Sequence, residues 1–503
     1  MKRFAAVLLA LLMLLPSCGN GTADDSAEKG AEKEIQADSG LVDGAGEEKD
    51  PAEEAIETET SRADRPDTLD PSLDFDGTQI NALTFGRGVC QKYDVFGELN
   101  GDVVLDAIYN RNITVEDRLN VKFNFVAGSD DWERFPSEVM LVIKAGSDDY
   151  DFIMEEACRL FQQSISGGFY DLLTVNHLDP GQPWWYQSMM EESQLDNKKR
   201  FFLVGDICLS VLLGATAMYF DKPMFKDYFG DPDALYNTVL EGKWTYDLFD
   251  DYCGRVYTDV NGNGETDDGD ITGFRYTLAL LNYFSMSNGL TYSKRDEEGF
   301  PILDIYNENS LKWAETLYHL AFAGNCCVEG NLNGAFTGRK ALFLPGFFET
   351  AHQLREVDFE YGILPYPKLD ESVDYMSGGA VVNGCGVAVP VSANPGKLDA
   401  TAASMEALCA EGYRRVVTAW YDTALKFKYS DATIDSRMVD IVYEHITCPF
   451  IIMADKALNT GSIFMASLGS ATAPSAFATW YAANEKSLES KLEKAIEKYK
   501  NLQ

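Results

Sequence analysis

The sequence has few histidines and no closely spaced cysteine pairs of the kind that bind zinc or cycle between thiol and disulfide. Four of its 503 residues are His, and its ten cysteines include no C-x-x-C motif. These absences argue against zinc-finger-type sites and thioredoxin-type redox activity. The adjacent Cys326 and Cys327 could at most form a strained vicinal disulfide, and buried thiols are the other interpretation of the cysteines after Cys18.

The sequence also lacks the local motifs of the common hydrolases and nucleotide-binding enzymes. It has no G-x-S-x-G elbow, no P-loop, no H-E-x-x-H, and no G-x-G-x-x-G after a predicted strand. Its 80 acidic residues make carboxylate pairs abundant, but a glycosidase needs two carboxylates at a fixed separation. Glu155 and Glu156 are the best-placed pair, yet neighbours on a strand point to opposite faces. We therefore predict that the protein is not an enzyme.

Basic residues are scarce relative to acidic ones. The chain has 42 Lys and Arg against 80 Asp and Glu, which gives a formal net charge of −38. A chain with this charge repels the phosphate backbone of nucleic acids and anionic membrane surfaces, so neither is expected as a partner. The charge favours a small neutral ligand instead.

The N-terminal residues have the pattern of a bacterial export signal. Lys2 and Arg3 precede an apolar run over residues 4–15, which is followed by Pro16-Ser17-Cys18. At about 1.5 Å per residue this run is too short to span a bilayer core of about 30 Å. The small residue before Cys18 resembles a lipobox, which predicts that residues 1–18 are a signal ending at a lipidated Cys18. An ordinary secretory signal with a chance cysteine is the alternative.

The next segment has almost no residues that could form a core. Residues 19–74 are rich in Gly, Ala, Ser, Thr and acids, so we predict a disordered acidic tether. No later segment is long and apolar enough to be transmembrane. The expected location is the extracellular face of the bacterial cell membrane, with the lipid as the only membrane contact.

The folded region begins with alternating strand and helix patterns. These are a strand at 80–85, a helix at 104–119, a strand at 121–126, a helix at 136–145 and a strand at 150–154. Such a βαβαβ run predicts a parallel sheet whose ligand lies beyond the carboxyl ends of the strands. The residues that follow the first and third strands are therefore candidate ligand contacts: Gly86, Arg87, Glu155, Glu156 and Arg159.

Later elements follow no single repeat. Strands are predicted at 201–204, 216–220, 361–364 and 386–389, and helices at 310–323, 400–410, 413–424 and 486–500.

Residues 259–270 fit a twelve-residue calcium loop. The oxygen ligands would be the side chains of Asp259, Asn261 and Asn263, the carbonyl of Glu265, and the side chains of Asp267 and Asp270. Gly264 would make the sharp turn. The closing Asp is shorter than the Glu of an EF-hand, so we expect a structural Ca²⁺ bound with a Kd of roughly 10⁻⁴ to 10⁻³ M. Thr245 is predicted to cap the helix before the loop, and no second helix is predicted at 271–276. A solvated acidic turn is the alternative.

Seven groups of short motifs occur in the order found in one bacterial family. They are Asp106-Ala107-Ile108-Tyr109-Asn110-Arg111-Asn112, Pro183-Trp184-Trp185, Val204-Gly205-Asp206, Met218-Tyr219-Phe220-Asp221-Lys222, Gly242-Lys243-Trp244-Thr245-Tyr246-Asp247, Tyr361-Gly362-Ile363-Leu364-Pro365-Tyr366-Pro367-Lys368, and Trp420-Tyr421 with Asp435-Ser436-Arg437-Met438. Together they resemble the extracellular solute-binding lipoproteins of bacterial ABC importers, in the mostly carbohydrate-specific branch related to maltose-binding protein. The resemblance covers roughly residues 78–485, and this branch often carries the same calcium-type loop. Cys208 and Cys385 interrupt otherwise matching strings, which leaves the ligand's identity open.

The resemblance implies a two-lobed α/β fold of the periplasmic-binding-protein type, with each lobe a mostly parallel sheet flanked by helices. Lobe 1 would comprise residues 75–213 and 361–428, and lobe 2 residues 214–360 and 429–503, with hinges near 213–215 and 358–361. The lobes would close on a mono- or oligosaccharide and deliver it to ABC permease subunits. A monomer is expected. The alternative function is a calcium-braced cell-surface module for polysaccharide binding or adhesion without import.

Sugar binding makes chemical demands of its own. Aromatic rings cover the apolar faces of a pyranose, and planar polar side chains satisfy its hydroxyls. Trp184 and Trp185 follow a loop, so ligand stacking and core packing are both open for them. Trp420 and Tyr421 lie in a helical pattern, where core packing is the commoner outcome. The position of four further side chains makes them candidate hydroxyl partners: Glu155, Glu156, Arg159 and Asp206.

Overall fold

The computed structural model describes residues 62–323, 327–426, 432–460 and 475–502. The predicted signal with Cys18, the tether up to residue 61, and Cys326 lie outside these ranges. Residues 62–74, which the sequence predicts as part of the tether, are ordered against the body. Asp67 accepts hydrogen bonds from Arg118 and Arg414, and Leu69 is buried. A charged clamp and one buried apolar side chain therefore hold part of the segment that the sequence predicts as tether.

The described strands form four sheets. In chain order they are β1 (Thr78–Thr84), β2 (Val121–Ala127), β3 (Phe152–Glu156), β4 (Thr216–Asp221), β5 (Phe274–Tyr276), β6 (Ser293–Arg295), β7 (Pro301–Leu303), β8 (Cys327–Glu329), β9 (Phe343–Phe347), β10 (Tyr361–Leu364) and β11 (Cys385–Ala388). The first sheet has the order β11-β3-β1-β2, and the second has the order β10-β4-β9. β5 pairs with β8 and β6 with β7 in two smaller sheets.

The first sheet confirms the predicted βαβαβ run. β1 is parallel to both β2 and β3, and β11 joins β3 antiparallel. In the second sheet both pairings are antiparallel. The mostly parallel pairing expected of each lobe is therefore present in the first sheet and absent from the second. The segment 201–204, predicted as a strand, contributes only an isolated bridge between Leu203 and Val387.

Helices cover both sheets. In chain order the described α-helices are α1 (Gly88–Tyr93), α2 (Val103–Leu119), α3 (Arg134–Ala145), α4 (Ala157–Ile165), α5 (Gln187–Glu192), α6 (Leu209–Leu213), α7 (Lys222–Phe229), α8 (Asp233–Leu240), α9 (Tyr246–Val256), α10 (Leu278–Met286), α11 (Glu308–Tyr318), α12 (Leu332–Thr337), α13 (Thr350–Gln353), α14 (Ala380–Asn383), α15 (Leu398–Glu411), α16 (Val417–Lys426), α17 (Ala432–Glu444), α18 (Phe450–Met453), α19 (Asp455–Leu458) and α20 (Ser475–Lys500). A π-helical turn at His319–Ala323 ends the helix predicted at 310–323, and another at Gly412–Val416 begins the helix predicted at 413–424.

Local sequence explains where the long helices begin and which face they bury. Asp102 caps α2 by accepting hydrogen bonds from the backbone N–H groups of Val104 and Leu105. Ile108 and Val115, two turns apart on the same helix, are buried. Thr245 caps α9 through the N–H of Leu248, as predicted.

The chain crosses between the two large sheets at Gly214, which follows α6 and precedes β4. It returns between β10 and β11. The predicted boundary at residue 361 is wrong, because β10 pairs with β4 and therefore belongs to the second sheet. The crossing back to the first sheet lies after Leu364 and before Cys385.

The C-terminal helix α20 contacts residues of both predicted lobes. Tyr499 packs edge-on against Phe201, with ring centroids 5.9 Å apart. Tyr481 stacks on Tyr306, with centroids 5.2 Å apart. Residues 475–502 therefore do not belong to the second sheet's segment alone, although the sequence assigns them to lobe 2.

The eight described cysteines are buried thiols that form no disulfide with one another: Cys90, Cys158, Cys208, Cys253, Cys327, Cys385, Cys409 and Cys448. For these residues the buried-thiol interpretation is confirmed. None of the described helices has both the length and the apolarity of a membrane span.

A buried ion pair should contribute strongly to stability. Lys222 in α7 pairs with Asp435 in α17 at 3.2 Å, and both side chains are at most 7% exposed. We expect Asp435→Ala to lower the free energy of unfolding by about 3 kcal/mol, because it removes the carboxylate partner of a buried ammonium group. Chemical denaturation measures this loss. The matched control is Asp227→Ala, an exposed carboxylate on the same helix α7; equal losses in the two variants would contradict the expectation.

Candidate functional site

A cavity of about 160 Å³ lies between the two large sheets. Its walls are formed by residues that follow β1, β2 and β9, by the crossing at Gly214, and by the end of α14. The lining residues are Arg87, Val89, Cys90, Trp132, Leu213, Gly214, Phe347, Glu349 and Asn383. A cavity of ~150 Å³ accommodates one six-membered ring, so this space fits a ligand unit of that size.

One wall presents an aromatic ring beside a cation. The Arg87 guanidinium lies 3.5 Å from the centroid of the Trp132 ring. Phe85, the residue after β1, packs against Trp132 with ring centroids 5.3 Å apart. Trp132 is half-buried, so Phe85 holds the ring in place while part of it lines the cavity.

The opposite wall combines aromatic rings with an amide. Phe347 and Tyr283 meet edge to face, with centroids 4.7 Å apart. The Asn383 Nδ2 donates to the Gly379 carbonyl at 3.1 Å and to the Tyr283 hydroxyl at 3.4 Å. No described residue donates a hydrogen bond to its Oδ1, which leaves an acceptor at the cavity wall.

Glu156 is a nearly buried carboxylate that interacts electrostatically with Arg87, a residue of the cavity wall. It is 4% exposed and accepts no hydrogen bond from any residue in the described ranges. Burial and, to a smaller extent, the neighbouring Glu155 raise the pKa of Glu156 to about 8, although Arg159, Lys456 and Arg87 act in the opposite direction. Burial likewise raises the pKa of Glu349. Glu349 lines the cavity, so its carboxyl group can exchange hydrogen bonds with a hydroxylated ligand.

Two further candidates, Glu155 and Arg159, make contacts away from the cavity. Glu155 points to the opposite side of β3, where the Gln163 Nε2 donates to it at 2.8 Å. Arg159 pairs with Glu133. Of the predicted group, Arg87 lines the cavity, and Glu156 interacts with Arg87 electrostatically.

Trp184 and Trp185 are core residues, so the ligand-stacking alternative is wrong for them in this conformation. They are 0% and 1% exposed. Both indole N–H groups donate to Glu406 in α15, each at 3.0 Å. Burial raises the pKa of Glu406 to about 7. The pair is held in the interior by a shared carboxylate, and neither ring offers a face to a sugar.

Asp206 is also outside the cavity. It is 1% exposed and accepts hydrogen bonds from the hydroxyls of Tyr186 and Tyr443 at 2.6 and 2.7 Å. The Arg62 guanidinium lies 4.2 and 4.3 Å from the ring centroids of Tyr413 and Tyr443. Burial raises the pKa of Asp206 to about 6, although Arg62 opposes the rise. Asp206 therefore belongs to a cluster that secures the N-terminal segment.

For Trp420 and Tyr421, the structure agrees with the core-packing alternative. Trp420 is 1% exposed and packs against Phe348, with centroids 4.9 Å apart. Tyr421 lies at the edge of the Arg62 cluster, with its ring centroid 5.4 Å from the guanidinium. Neither side chain lines the cavity.

Sequence reasoning missed most of the cavity lining and Tyr283, which packs on it. The missed lining residues include Val89, Cys90, Trp132, Phe347, Glu349 and Asn383. Trp132 had a signal, because it follows the second predicted strand as Arg87 follows the first. The others come from α1, from the end of β9 and the residues after it, from α10 and from α14, and their approach depends on tertiary structure that no local pattern encodes.

The predicted calcium loop folds as a compact turn at the end of α9. Asp259 accepts the backbone N–H groups of Gly262 and Gly264, the latter at 2.9 Å. The amides of Asn261 and Asn263 both donate to Asp267 Oδ2, at 2.9 and 2.8 Å. Gly264 has a φ of +76°, the left-handed conformation expected at the sharp turn. Side chains from loop positions 3, 5 and 9 therefore converge on one point.

Hydrogen bonds hold the C-terminal end of the loop to its own first residues and to β5. Asp270 is fully buried and accepts hydrogen bonds from the N–H groups of Val260 and Asp267. Arg275 in β5 donates to the Asp270 carbonyl at 3.2 Å. A strand follows the loop, which agrees with the prediction that no second helix is present. In the described residues, Asp259, Asp267 and Asp270 do not bring three carboxylate oxygens within 4.8 Å of one another.

No family model and no curated protein matches the sequence. Several solved structures match the fold. The extracellular solute-binding protein from Staphylococcus aureus in complex with maltose has a TM-score of 0.52 at 11% identity, with 84% of this chain and 97% of that chain covered. The ABC transporter associated binding protein from B. animalis subsp. lactis Bl-04, in complex with beta-1,6-galactobiose, has a TM-score of 0.50 at 12% identity, with coverages of 82% and 98%.

A cyclo/maltodextrin-binding protein complexed with maltotetraose also has a TM-score of 0.50 at 12% identity, with coverages of 84% and 97%. These similarities show the fold. The predicted two-lobed α/β architecture of the periplasmic-binding-protein type is confirmed, and so is the resemblance to solute-binding proteins at the level of fold.

The buried carboxyl groups predict an unusual pH dependence. Burial raises the pKa of Glu155 and Glu156 to about 8, above their unfolded value of about 4.3. The protonated forms fit the fold better, so this stabilisation is complete below about pH 4.3 and is lost as the pH rises through about 8. We expect the melting temperature to be about 2–4 °C higher at pH 5.5 than at pH 8.5.

The variant Glu156→Gln tests the origin of this effect, because a neutral amide mimics the protonated carboxyl group. It should reduce the difference in melting temperature between the two pH values, whereas Glu98→Gln at an exposed position should leave the difference unchanged. A wild-type protein that is more stable at pH 8.5, or equal pH profiles for wild type and Glu156→Gln, would contradict the assignment.

Proposed function

We propose that the protein is the substrate-binding component of an ABC importer, and that it captures a carbohydrate in the cavity between the two large sheets. One observation carries the proposal: the cavity combines ring surfaces from Trp132 and Phe347 with planar polar groups on both sides. A pyranose has apolar C–H faces and a rim of hydroxyls, and this wall can satisfy both.

Each polar group has a specific hydrogen-bonding role in such a complex. Arg87 donates hydrogen bonds, the Asn383 Oδ1 accepts them, and Glu156 accepts or donates according to its protonation. Glu156 is nearly buried without a hydrogen-bonding partner among the described residues, so a ligand hydroxyl would relieve part of its desolvation cost. Binding therefore favours hydroxylated, uncharged ligands.

The cavity walls come from both sheets, so a ligand that contacts both would favour the closed arrangement of the lobes. Closed protein would then deliver the sugar to membrane permease subunits without changing it chemically. The proposed location is the extracellular face of the bacterial membrane, where a lipid on Cys18 would keep the protein near the permease. We propose that the protein acts as a monomer.

A thermal-shift screen over mono- and oligosaccharides tests ligand binding. A ligand at 100 times its Kd adds about 2.7 kcal/mol of stability, which gives a measurable rise in melting temperature. We expect Trp132→Ala to weaken the binding of the ligand found by roughly 10- to 100-fold in calorimetry. The control Trp480→Ala removes a half-buried tryptophan of α20 that does not line the cavity.

Equal affinities for Trp132→Ala and Trp480→Ala would place the sugar elsewhere. Uptake of the labelled sugar by cells separates import from surface adhesion: loss of uptake on deletion of the protein supports import, whereas unchanged uptake with retained binding to polysaccharide supports an adhesion module.

We also propose that residues 259–270 hold a structural Ca²⁺. The side-chain oxygens of Asp259, Asn261, Asn263, Asp267 and Asp270 and the carbonyl of Glu265 would be its ligands. The convergence of Asn261, Asn263 and Asp267 supports this, as does the oxygen-only chemistry of the set, which suits a hard cation. The ion would join the end of α9 to β5.

Calcium should therefore stabilise the protein. At 10 mM Ca²⁺ we expect a gain of about 1–3 kcal/mol over protein in chelator, given a Kd of roughly 10⁻⁴ to 10⁻³ M. Asp270→Asn should abolish most of the gain in thermal unfolding. Asp268→Asn changes an adjacent loop carboxylate outside the ligand positions and should retain it. An unchanged melting temperature with Ca²⁺ would identify the loop as a solvated acidic turn.

A further inference from the structure

The structure places two thiols and a carboxylate together beneath the cavity. Among the described His, Cys, Asp and Glu residues, Cys90, Asp94 and Cys385 form the one group whose three ligand atoms all lie within 4.8 Å of one another. Each of the three residues is buried, with Cys90 the most exposed at 7%. This sulfur and oxygen set lies outside the predicted calcium loop and outside the sugar contacts proposed above.

Two separate elements bring the three side chains together. Cys90 lies in α1 and Asp94 caps its C-terminal end, one turn later, so both are on the same side of the helix. Cys385 is the first residue of β11. No local spacing in the sequence reveals this group, because Cys385 lies almost three hundred residues after Cys90.

A third element fixes the carboxylate in position. Ser210 in α6 donates to Asp94 twice, from its backbone N–H at 2.8 Å and from its hydroxyl at 2.9 Å. The Cys385 N–H donates to the same hydroxyl at 3.1 Å. Ser210 therefore holds both Asp94 and the backbone of Cys385, which is the role of an outer-sphere residue at a metal site.

No cationic side chain in the described residues donates a hydrogen bond to the Asp94 carboxylate, although the charge of Arg111 is close enough to favour its ionised form. The buried Arg111 guanidinium donates to the Asp94 backbone carbonyl at 2.6 Å and to the Ile207 carbonyl at 2.9 Å, and not to the carboxylate. An ionised, buried carboxylate without a cationic contact is costly. A bound cation would occupy the side of the carboxylate that faces the two sulfurs.

We propose that Cys90, Asp94 and Cys385 bind a thiophilic divalent cation of the Zn²⁺ class. Two sulfurs bound at about 2.3 Å in a tetrahedral site lie roughly 3.8 Å apart, so the observed grouping needs only a small adjustment. The mixed thiolate and carboxylate set favours this class over Ca²⁺ or Mg²⁺, which prefer oxygen ligands. Two Zn–S bonds replace two S–H bonds, two protons leave to solvent, and the net charge of the site is unchanged.

The cavity supplies a route for the ion. Cys90 lines the cavity, and its sulfur lies 3.6 Å from the backbone carbonyl of Asn383, another lining residue. Three protein ligands leave a fourth tetrahedral position, which water from the cavity can fill. A Cys90–Cys385 disulfide is the competing fate of these sulfurs, but it would use neither Asp94 nor the two hydrogen bonds from Ser210.

Titration of the reduced, chelator-treated full chain with Zn²⁺ and Cd²⁺ tests the site. We expect one tightly bound ion per chain, release of about two protons per ion, and a rise in melting temperature. Cd²⁺ should also produce the ultraviolet charge-transfer band of a thiolate complex, which carboxylate sites such as the calcium loop do not give. Ser210→Ala should weaken binding by about 10-fold or more.

Matched cysteine variants identify the ligands. Cys90→Ser and Cys385→Ser should each reduce the Cd²⁺ band to about half or less, because one of two thiolates is lost, and weaken Zn²⁺ binding on the order of 100-fold. Asp94→Asn should weaken Zn²⁺ binding and retain the full sulfur band. Cys448→Ser, at another buried thiol, should behave as wild type. Circular dichroism establishes that each variant is folded. The proposal is overturned if the band is undiminished in both Cys90→Ser and Cys385→Ser, if no ion binds, or if peptide mapping finds these thiols joined as a disulfide in protein kept under reductant.

Discussion

The position of the cavity depends on the direction of β1 relative to its two neighbours. β1 lies between β2 and β3 and runs parallel to both, so the carboxyl ends of the three strands lie at the same edge of the sheet. Arg87, Trp132 and Glu156 come from the ends of these three strands or from the segments that follow them. An antiparallel neighbour would have sent its following residues to the far edge. The cavity wall is therefore a consequence of the parallel pairing that the crossover helices α2 and α3 allow.

Two consecutive buried carboxyl groups at the same sheet edge lower the stability of the fold. Glu155 and Glu156 are consecutive on β3 and both nearly buried, and strand alternation sends them to opposite sides. Glu155 finds Gln163, whereas Glu156 finds no hydrogen-bond donor among the described residues. A nearly buried carboxyl group that gains nothing for folding is what a ligand site requires, because its hydrogen-bonding capacity remains for the ligand.

The elements could be predicted where local sequence determines them. β1, α2, β2 and α9 were predicted within a few residues, since their apolar spacing and caps are local signals. The strand predicted at 201–204 was wrong as a strand because its pairing, one bridge at Leu203, depends on the distant Val387. The boundary at 361 failed for a related reason: the sequence of β10 gives its conformation but not its partner.

The site was harder to predict than the fold. Trp184 and Trp185 have the residue type of a sugar-binding pair, and nothing local indicates that Glu406 will accept both of their N–H groups. A tryptophan whose N–H is satisfied inside the protein can be buried completely, and one without such a partner retains a polar edge that favours a wet surface. Trp132 is a tryptophan without such a partner, because no described residue accepts its N–H, and its side chain remains half-buried at the cavity. The decisive information was the position of Glu406, not the number of aromatics.

The N-terminal segment is attached away from this cavity. Arg62 lies among Tyr413, Tyr421 and Tyr443, and Asp67 bridges Arg118 and Arg414. None of these residues lines the cavity. Because cation–π contacts and an ion-pair clamp both fix residues 62–67, this segment is held beside α2 and α16. The attachment of this segment and the lining of the cavity therefore use separate sets of side chains.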